Sequence, residues 1–305
     1  MKAVLLTRFG GVDALRYGEV PDPMAGRGEV VVDVYAASVN AADTKVRLGQ
    51  YGDLVLPRVL GRDFSGVVSS VGPEADLKIG DPVFGVTMTQ TEGAYAEKIA
   101  IDASIVARKP SALSHAAAAA MALAGLTSIS ALEETAELEA GETILIHGGA
   151  GGVGSFAVQL AKDLGAVVIA TASSPNHHYV RRLGADRVID YNEEDFVEVV
   201  DACDVVFDTI GGDTQVRSYH VLKPGGRLVW VAHGPDGFVP TRKDVHVLRP
   251  RVDRGRSQLE RIVELFETGA VSPPEITHYA LADVAEAHRV SERGHVRGKL
   301  VLDVR

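Results

Sequence analysis

Residues 143–165 read TILIHGGAGGVGSFAVQLAKDLG, and this stretch decides the fold. A short apolar run gives way to a cluster of glycines and then to a helical pattern. Gly149-Ala150-Gly151-Gly152-Val153-Gly154 satisfies Gly-x-Gly-x-x-Gly where the pattern has meaning: after a strand, opening a helix, at the start of a strand–helix–strand unit. In that reading Gly149 makes the tight turn, Gly151 lets the backbone approach a pyrophosphate, and Gly154 lets the helix pack close to the strand. The helix start, with Gly152 and Val153, offers N–H groups and a positive partial charge to the anion. A glycine-rich turn without a ligand is the alternative.

Working outward, the chain continues as strand AVVIATA, helix HHYVRRLG, strand DRVIDY, then the apolar segments CDVVFDTI and GGRLVWVA. Buried-looking strands alternating with helices predict crossover units on a mostly parallel sheet, an open α/β domain over about 125–250. A site for NAD usually places Asp or Glu about 20 residues beyond the glycine loop, to bind the ribose 2′-hydroxyl. Here the second strand ends in Thr171-Ala172-Ser173-Ser174, with no carboxylate. Hydroxyls at Ser173 and Ser174 can donate to a 2′-phosphate that a carboxylate would repel, so NADP(H) is preferred over NAD. His177, His178, Arg181 and Arg182 can add charge, and Tyr191 is a second candidate donor, or else packs.

The first 110 residues have a different character. VVVDVYAASV (30–39), FSGVVSSVG and DPVFGVTM read as short strands, separated by glycine and proline and interrupted by one helix at about 42–48. This predicts an irregular, barrel-like β domain. Ser114 can cap a helix through HAAAAAMALA; Gly125 is expected to break it, with a second helix over about 127–134. SQLERIVELFETG carries one apolar stripe, Leu259, Ile262, Val263, Leu265 and Phe266. The final strand, GKLVLDV, is expected to return to the first domain's sheet.

Composition sets the bounds. The 305 residues carry 31 basic and 41 acidic side chains, a formal charge of -10, which argues against a general nucleic-acid binder. Glycine, 32 residues, exceeds the usual share of about 7% and clusters where tight backbone geometry is needed. The single cysteine, Cys203, excludes an internal disulfide and a thiolate-rich zinc site; it reads as an inert core thiol. No uninterrupted apolar run approaches the ~20 residues of a membrane span, and the start is no signal peptide, so a cytoplasmic location without membrane insertion is expected.

GRDFSGVVSSVG, GDPVFG, GLTSISAL, ILIHGGAGGVGSFAVQLAK, LGADRVIDY, VVFDTIGG, GGRLVWVA and GKLVLDV occur in that order. Together they resemble the medium-chain dehydrogenase/reductase superfamily, and within it the zinc-independent quinone oxidoreductase (zeta-crystallin-like) branch. The resemblance spans almost the whole chain. It implies an α/β fold with a GroES-like catalytic domain over 1–122, a Rossmann nucleotide-binding domain over 123–250 and a return to the catalytic domain over 251–305, with the active site in the cleft between the two. Zinc-dependent members carry Cys where this chain has Asn40, and Gly-His-Glu where it has Gly61-Arg62-Asp63, so no zinc is expected.

The activity implied is zinc-independent hydride transfer from NADPH to a quinone or an α,β-unsaturated carbonyl. Reduction of an enoyl thioester, alcohol oxidation and non-catalytic NADP binding are alternatives. The resemblance makes Asn40 the first candidate donor to the acceptor carbonyl, and Tyr51 a cleft residue that orients substrate or water; capping of the following helix and packing are their bland alternatives. It places Thr127 at the start of a helix facing the nicotinamide, the His233 backbone near the carboxamide, and Lys299 close to the phosphates or the cleft. Gly148 stands where the family often has Ala, a change that reads as loss of a methyl group only. A homodimer joined through an edge strand near Val245 to Leu248 is expected.

Overall fold

The computed structural model describes residues 1–305 apart from Gly52, Asp53, Thr89, Asp236, Phe238 and Thr241. The chain divides into two compact units: Met1–Leu123 with Arg254–Glu264 and Pro273–Arg305, and Ala124–Asp253 with Leu265–Ser272.

The first unit begins with β1 (Lys2–Leu6) and β2 (Leu15–Glu19), then the long β3 (Glu29–Val39), helix α1 (Ala41–Arg47) and β4 (Arg58–Val59). β5 (Asp63–Val71), β6 (Pro82–Val86), β7 (Lys98–Asp102) and β8 (Val106–Arg108) follow. β1 lies between β2 and β4 in a small sheet, while β3 pairs with both β5 and β7. The β3–β5 ladder shifts register twice, after Val31 and after Val34; such bulges bend and twist a strand, which curls the sheet. Val30, Val32, Val34, Phe64, Tyr95 and Leu302 are fully buried in its core.

The second unit holds six parallel strands: β9 (Thr143–His147), β10 (Val167–Thr171), β11 (Arg187–Ile189), β12 (Cys203–Asp208), β13 (Leu222–Trp230) and β14 (His246–Leu248). Helices α3 (Gly152–Asp163), α4 (His177–Arg182), α5 (Phe196–Val199) and α6 (Asp213–Ser218) fall between them. The strand order, β11-β10-β9-β12-β13-β14, is the 3-2-1-4-5-6 order of dinucleotide-binding sheets. It reverses at β9, so the carboxyl ends of β9 and β12 mark the switch point where such sheets bind ligands.

Helix α2 (His115–Ile129) corrects one expectation. It runs unbroken through Gly125 and continues to Thr135 in a wider π-type helix. A mid-helix glycine costs only about 1 kcal/mol, and residues 117–132 are buried throughout, so packing overrides the break. The stretch is long and apolar enough to cross a membrane, but it is a buried core element.

After α7 (Arg256–Glu267) come β15 (Ile276–Ala280), α8 (Val284–Glu292) and β16 (Lys299–Asp303). β16 pairs antiparallel with β3, Leu300 opposite Val39, and tethers the terminus to the first unit's sheet. The stretch 251–305 is not one continuous return, because Leu265–Ser272 groups with the second unit. There Gln159 of α3 accepts the Ser272 N–H at 2.9 Å and donates to the Ser272 carbonyl at 3.2 Å.

Candidate functional site

The glycine loop sits between β9 and α3, at the switch point of the second unit. The backbone with positive φ is Gly148 (φ 75°), not Gly149 as the motif implied. A Cβ on Gly148 would also stand 2.7 Å from the Thr209 hydroxyl, so glycine there is more than a lost methyl group. Gly149 serves close approach: its Cβ would lie 2.9 Å from that of Ala170. Gly154 is the tightest, since a Cβ would meet the Gly148 carbonyl oxygen at 2.1 Å. Helix α3 must therefore ride directly on the loop.

Gly151 is the extended residue before the helix, and its N–H donates to the Gly148 carbonyl at 3.0 Å. Gly152, Val153 and Gly154 open α3, where N–H groups have no intrahelical acceptor. Ser128 of α2 donates to the Val153 carbonyl at 3.2 Å and braces the turn. This is a backbone cradle that fits a pyrophosphate.

The neighbouring loops are ordered by short bonds. Ser173 follows β10 and receives the Asn176 amide at 3.1 Å; Ser174 is exposed beside it, and Tyr191 is exposed after β11. Asp190 follows β11 with a carboxylate, but Asn192's backbone and amide N–H groups hold its carboxyl below the usual range. Asp208, fully buried at the end of β12, accepts the N–H groups of Ile210 and Gly211 at 2.9 and 3.0 Å; burial pushes its carboxyl up. The His233 carbonyl already accepts the Gly212 N–H at 2.9 Å, and its ring lies 4.9 Å from Trp230. Thr127 is buried inside α2 near its end, rather than starting a helix.

In the first unit, Asn40 ends β3's approach to α1 and sits in a buried polar network. Its Oδ1 accepts the Lys299 ammonium at 2.6 Å, and its Nδ2 donates to Asp63 at 3.1 Å. An ammonium can only donate and a carboxylate accepts, so the amide has one permitted orientation. Asp43 accepts the Asn40 backbone N–H at 2.9 Å and the Tyr95 hydroxyl at 3.0 Å, and Ser38 donates to Asp63. Burial pushes the Asp63 carboxyl up, while the Lys299 charge and the Ser38 hydroxyl pull it back.

Lys299 is thus a buried cation that donates to Asn40 and pairs with Asp63. Tyr51 is 40% exposed, and the Arg62 guanidinium lies 4.9 Å from its ring centroid. Among the described residues no group of three or more His, Cys, Asp or Glu is arranged to hold a metal.

Sequence reasoning missed Ser38, Asp63 and Tyr95 as parts of this network. The aspartate leading the apolar strand DFSGVV was the available signal, since a carboxylate at a core position demands partners. Cys203 is buried at the start of β12, and burial pushes its thiol up to about 12.

Comparison with known proteins places these features. An alcohol dehydrogenase GroES-like domain model matches residues 26–111, and a zinc-binding dehydrogenase model matches residues 183–302. The chain is 37% identical to the chloroplastic NADPH-dependent alkenal/one oxidoreductase of Arabidopsis thaliana, over 99% of this chain and 79% of that protein. It is 34% identical to a quinone oxidoreductase of Pseudomonas aeruginosa, over 99% of each. The solved structure of the quinone oxidoreductase from Coxiella burnetii matches with a TM-score of 0.91 at 35% identity, covering 100% of this chain and 99% of that one. With likeness at this level running from end to end, the chain is an oxidoreductase belonging to the quinone oxidoreductase branch of the medium-chain dehydrogenase/reductase superfamily.

Proposed function

We propose that the protein is a cytoplasmic, NADPH-dependent reductase that works without zinc on quinones or α,β-unsaturated carbonyls. The observation that carries the reading is the glycine cradle at the end of β9, where added Cβ atoms would strike Gly148 or Ala170. Bound NADPH supplies a hydride. The N–H groups of Gly152, Val153 and Gly154 hold the pyrophosphate, helped by the positive end of α3. Ser173, Ser174 and Tyr191 receive the 2′-phosphate, with Arg181 and Arg182 exposed on the next helix. Thr127 and the His233 backbone serve the nicotinamide side.

Asn40 and Tyr51 line the acceptor side of the reaction. Lys299 acts there as a positioning residue, fixing the Asn40 amide, and water supplies the proton. Asn40 and Arg62 stand in place of zinc ligands, so a zinc-polarised alcohol is not the substrate.

The test is consumption of NADPH and of NADH with a quinone, an enone, an enoyl thioester and no acceptor, each with and without chelator. Turnover with NADPH and quinone or enone, unaffected by chelator, is the expected result. Ser173→Asp should weaken NADPH while sparing NADH, and equal loss of both would remove Ser173 from the 2′-phosphate site.

We infer a homodimer from the edge at β14, where Val247 is 38% exposed and, among the described residues, no strand pairs with the outer side. Such an edge is an aggregation liability that a two-fold partner removes.

A further inference from the structure

Arg62 is 7% exposed, yet among the described residues its guanidinium donates no hydrogen bond. Its Nε lies 3.6 Å from Asp43, an ion pair without a hydrogen bond, and its Nη2 is wholly buried with no partner. Leaving a buried donor unsatisfied costs about 1–3 kcal/mol, and more for a charged group. Native structures pair nearly all such groups, so an orphan calls for an acceptor from outside. The Tyr51 ring, 40% exposed, flanks the guanidinium at 4.9 Å.

Arg254 supplies a second, independent observation. Its Nη1 donates to the Thr87 carbonyl at 2.6 Å, and the Thr87 N–H donates to the Arg62 carbonyl at 2.8 Å, so one residue ties the two arginines together. Burial first, and then the Arg62 charge, lowers the Arg254 guanidinium. Three cations, Lys299, Arg62 and Arg254, thus face two carboxylates, Asp43 and Asp63. The cluster has one positive charge in excess, or two if Asp63 is protonated. Asn40, by contrast, already has an acceptor in Asp63 for its amide N–H.

We propose that Arg62 is a catalytic residue: its guanidinium donates to the carbonyl oxygen of the acceptor, in a subsite that Arg254 makes still more positive. The assignment rests on the reductase reading above. When hydride forms the new C–H bond at the β-carbon, the π pair of the C=C bond moves between the α-carbon and the carbonyl carbon. The carbonyl π pair moves to oxygen, and the Arg62 guanidinium holds that enolate charge. A proton from water then adds at the α-carbon and restores the carbonyl.

4-Nitrophenol provides a test that needs no turnover, because its phenolate resembles an enolate and absorbs visibly. The full-length protein should bind the phenolate at least about ten-fold more tightly than the phenol, which is one pKa unit. Arg62→Met should lose that preference. Arg62→Lys, which keeps the charge but not the fork, should reduce it about three-fold or more, and it serves if the Met variant does not fold. Single-turnover hydride transfer from NADPH to an enone should fall about 100-fold in Arg62→Met, the scale for one oxyanion donor, with NADPH affinity unchanged. A phenolate preference in a protein that reduces no acceptor would sink the reductase reading and leave the anion site standing. Wild-type transfer with phenolate preference and rate both intact in the Arg62 variants would overturn the inference.

Discussion

At the scale of single residues, the polar network explains why Asn40 and Tyr51 deserve different expectations. Removing the Asn40 amide deprives Lys299 of its 2.6 Å acceptor and Asp63 of a donor. Asn40→Ala should therefore lower single-turnover hydride transfer by about 10- to 1,000-fold while leaving NADPH binding nearly unchanged. Tyr51→Phe keeps the ring beside Arg62 and should do less, since water replaces a phenol as proton donor; wild-type rates in both variants would show that neither side chain acts. Asn40 itself was legible in the sequence, from its place in a motif. Its partners were not, because Asp63 and Lys299 are 23 and 259 positions away, and only the sheet brings them together.

His288 makes a second residue-scale prediction. Its ring is buried beside Tyr95 with neither nitrogen paired among the described residues, and burial first, then Arg47, lowers its pKa from 6.5 to about 4, against a raising effect from Glu292. The folded pKa lies below the unfolded value, so the unfolded chain binds a proton that the native state refuses between those limits. Stability from this ring is full above pH 6.5 and is lost as pH falls through the window, at about 1.4 kcal/mol per pH unit. Unfolding free energies measured across that range should show a shallower slope in His288→Gln by about that amount.

At the scale of elements, the glycine loop was readable because its chemistry is local: one strand, one turn and one helix within 23 residues of sequence. What the motif misplaced was the work within the turn, which passes from Gly149 to Gly148 through the positive φ. Gly154→Ala forces a Cβ against the Gly148 carbonyl. It should destabilise the protein by about 1–3 kcal/mol and weaken NADPH binding, both visible in thermal melts with and without cofactor. A variant that melts and binds like the wild type would show that the loop can relax. Gly125 illustrates the opposite limit, since local propensity argued for a break and burial of the whole α2 helix decided otherwise.

For the whole molecule, the parallel sheet leaves β14 at one margin and places the short β11 at the other. If β14 is the joint, light scattering should report twice the mass of one chain at micromolar concentration. Proline in place of Val247 should shift the population to monomer, because it removes a backbone donor from an edge ladder. A dimer untouched by that change would place the interface elsewhere.

The buried thiol of Cys203 has a further meaning for such an enzyme. Quinones and enones are electrophiles that add to thiolates, and a reductase that gathers them holds them near its own nucleophiles. This chain carries a single cysteine, enclosed at the root of β12 and kept protonated by burial, with its pKa near 12. Reactivity follows the thiolate, so the protein offers its acceptors almost no sulfur to arylate. The sheet core thereby shields the chain's one thiol from the electrophiles it reduces.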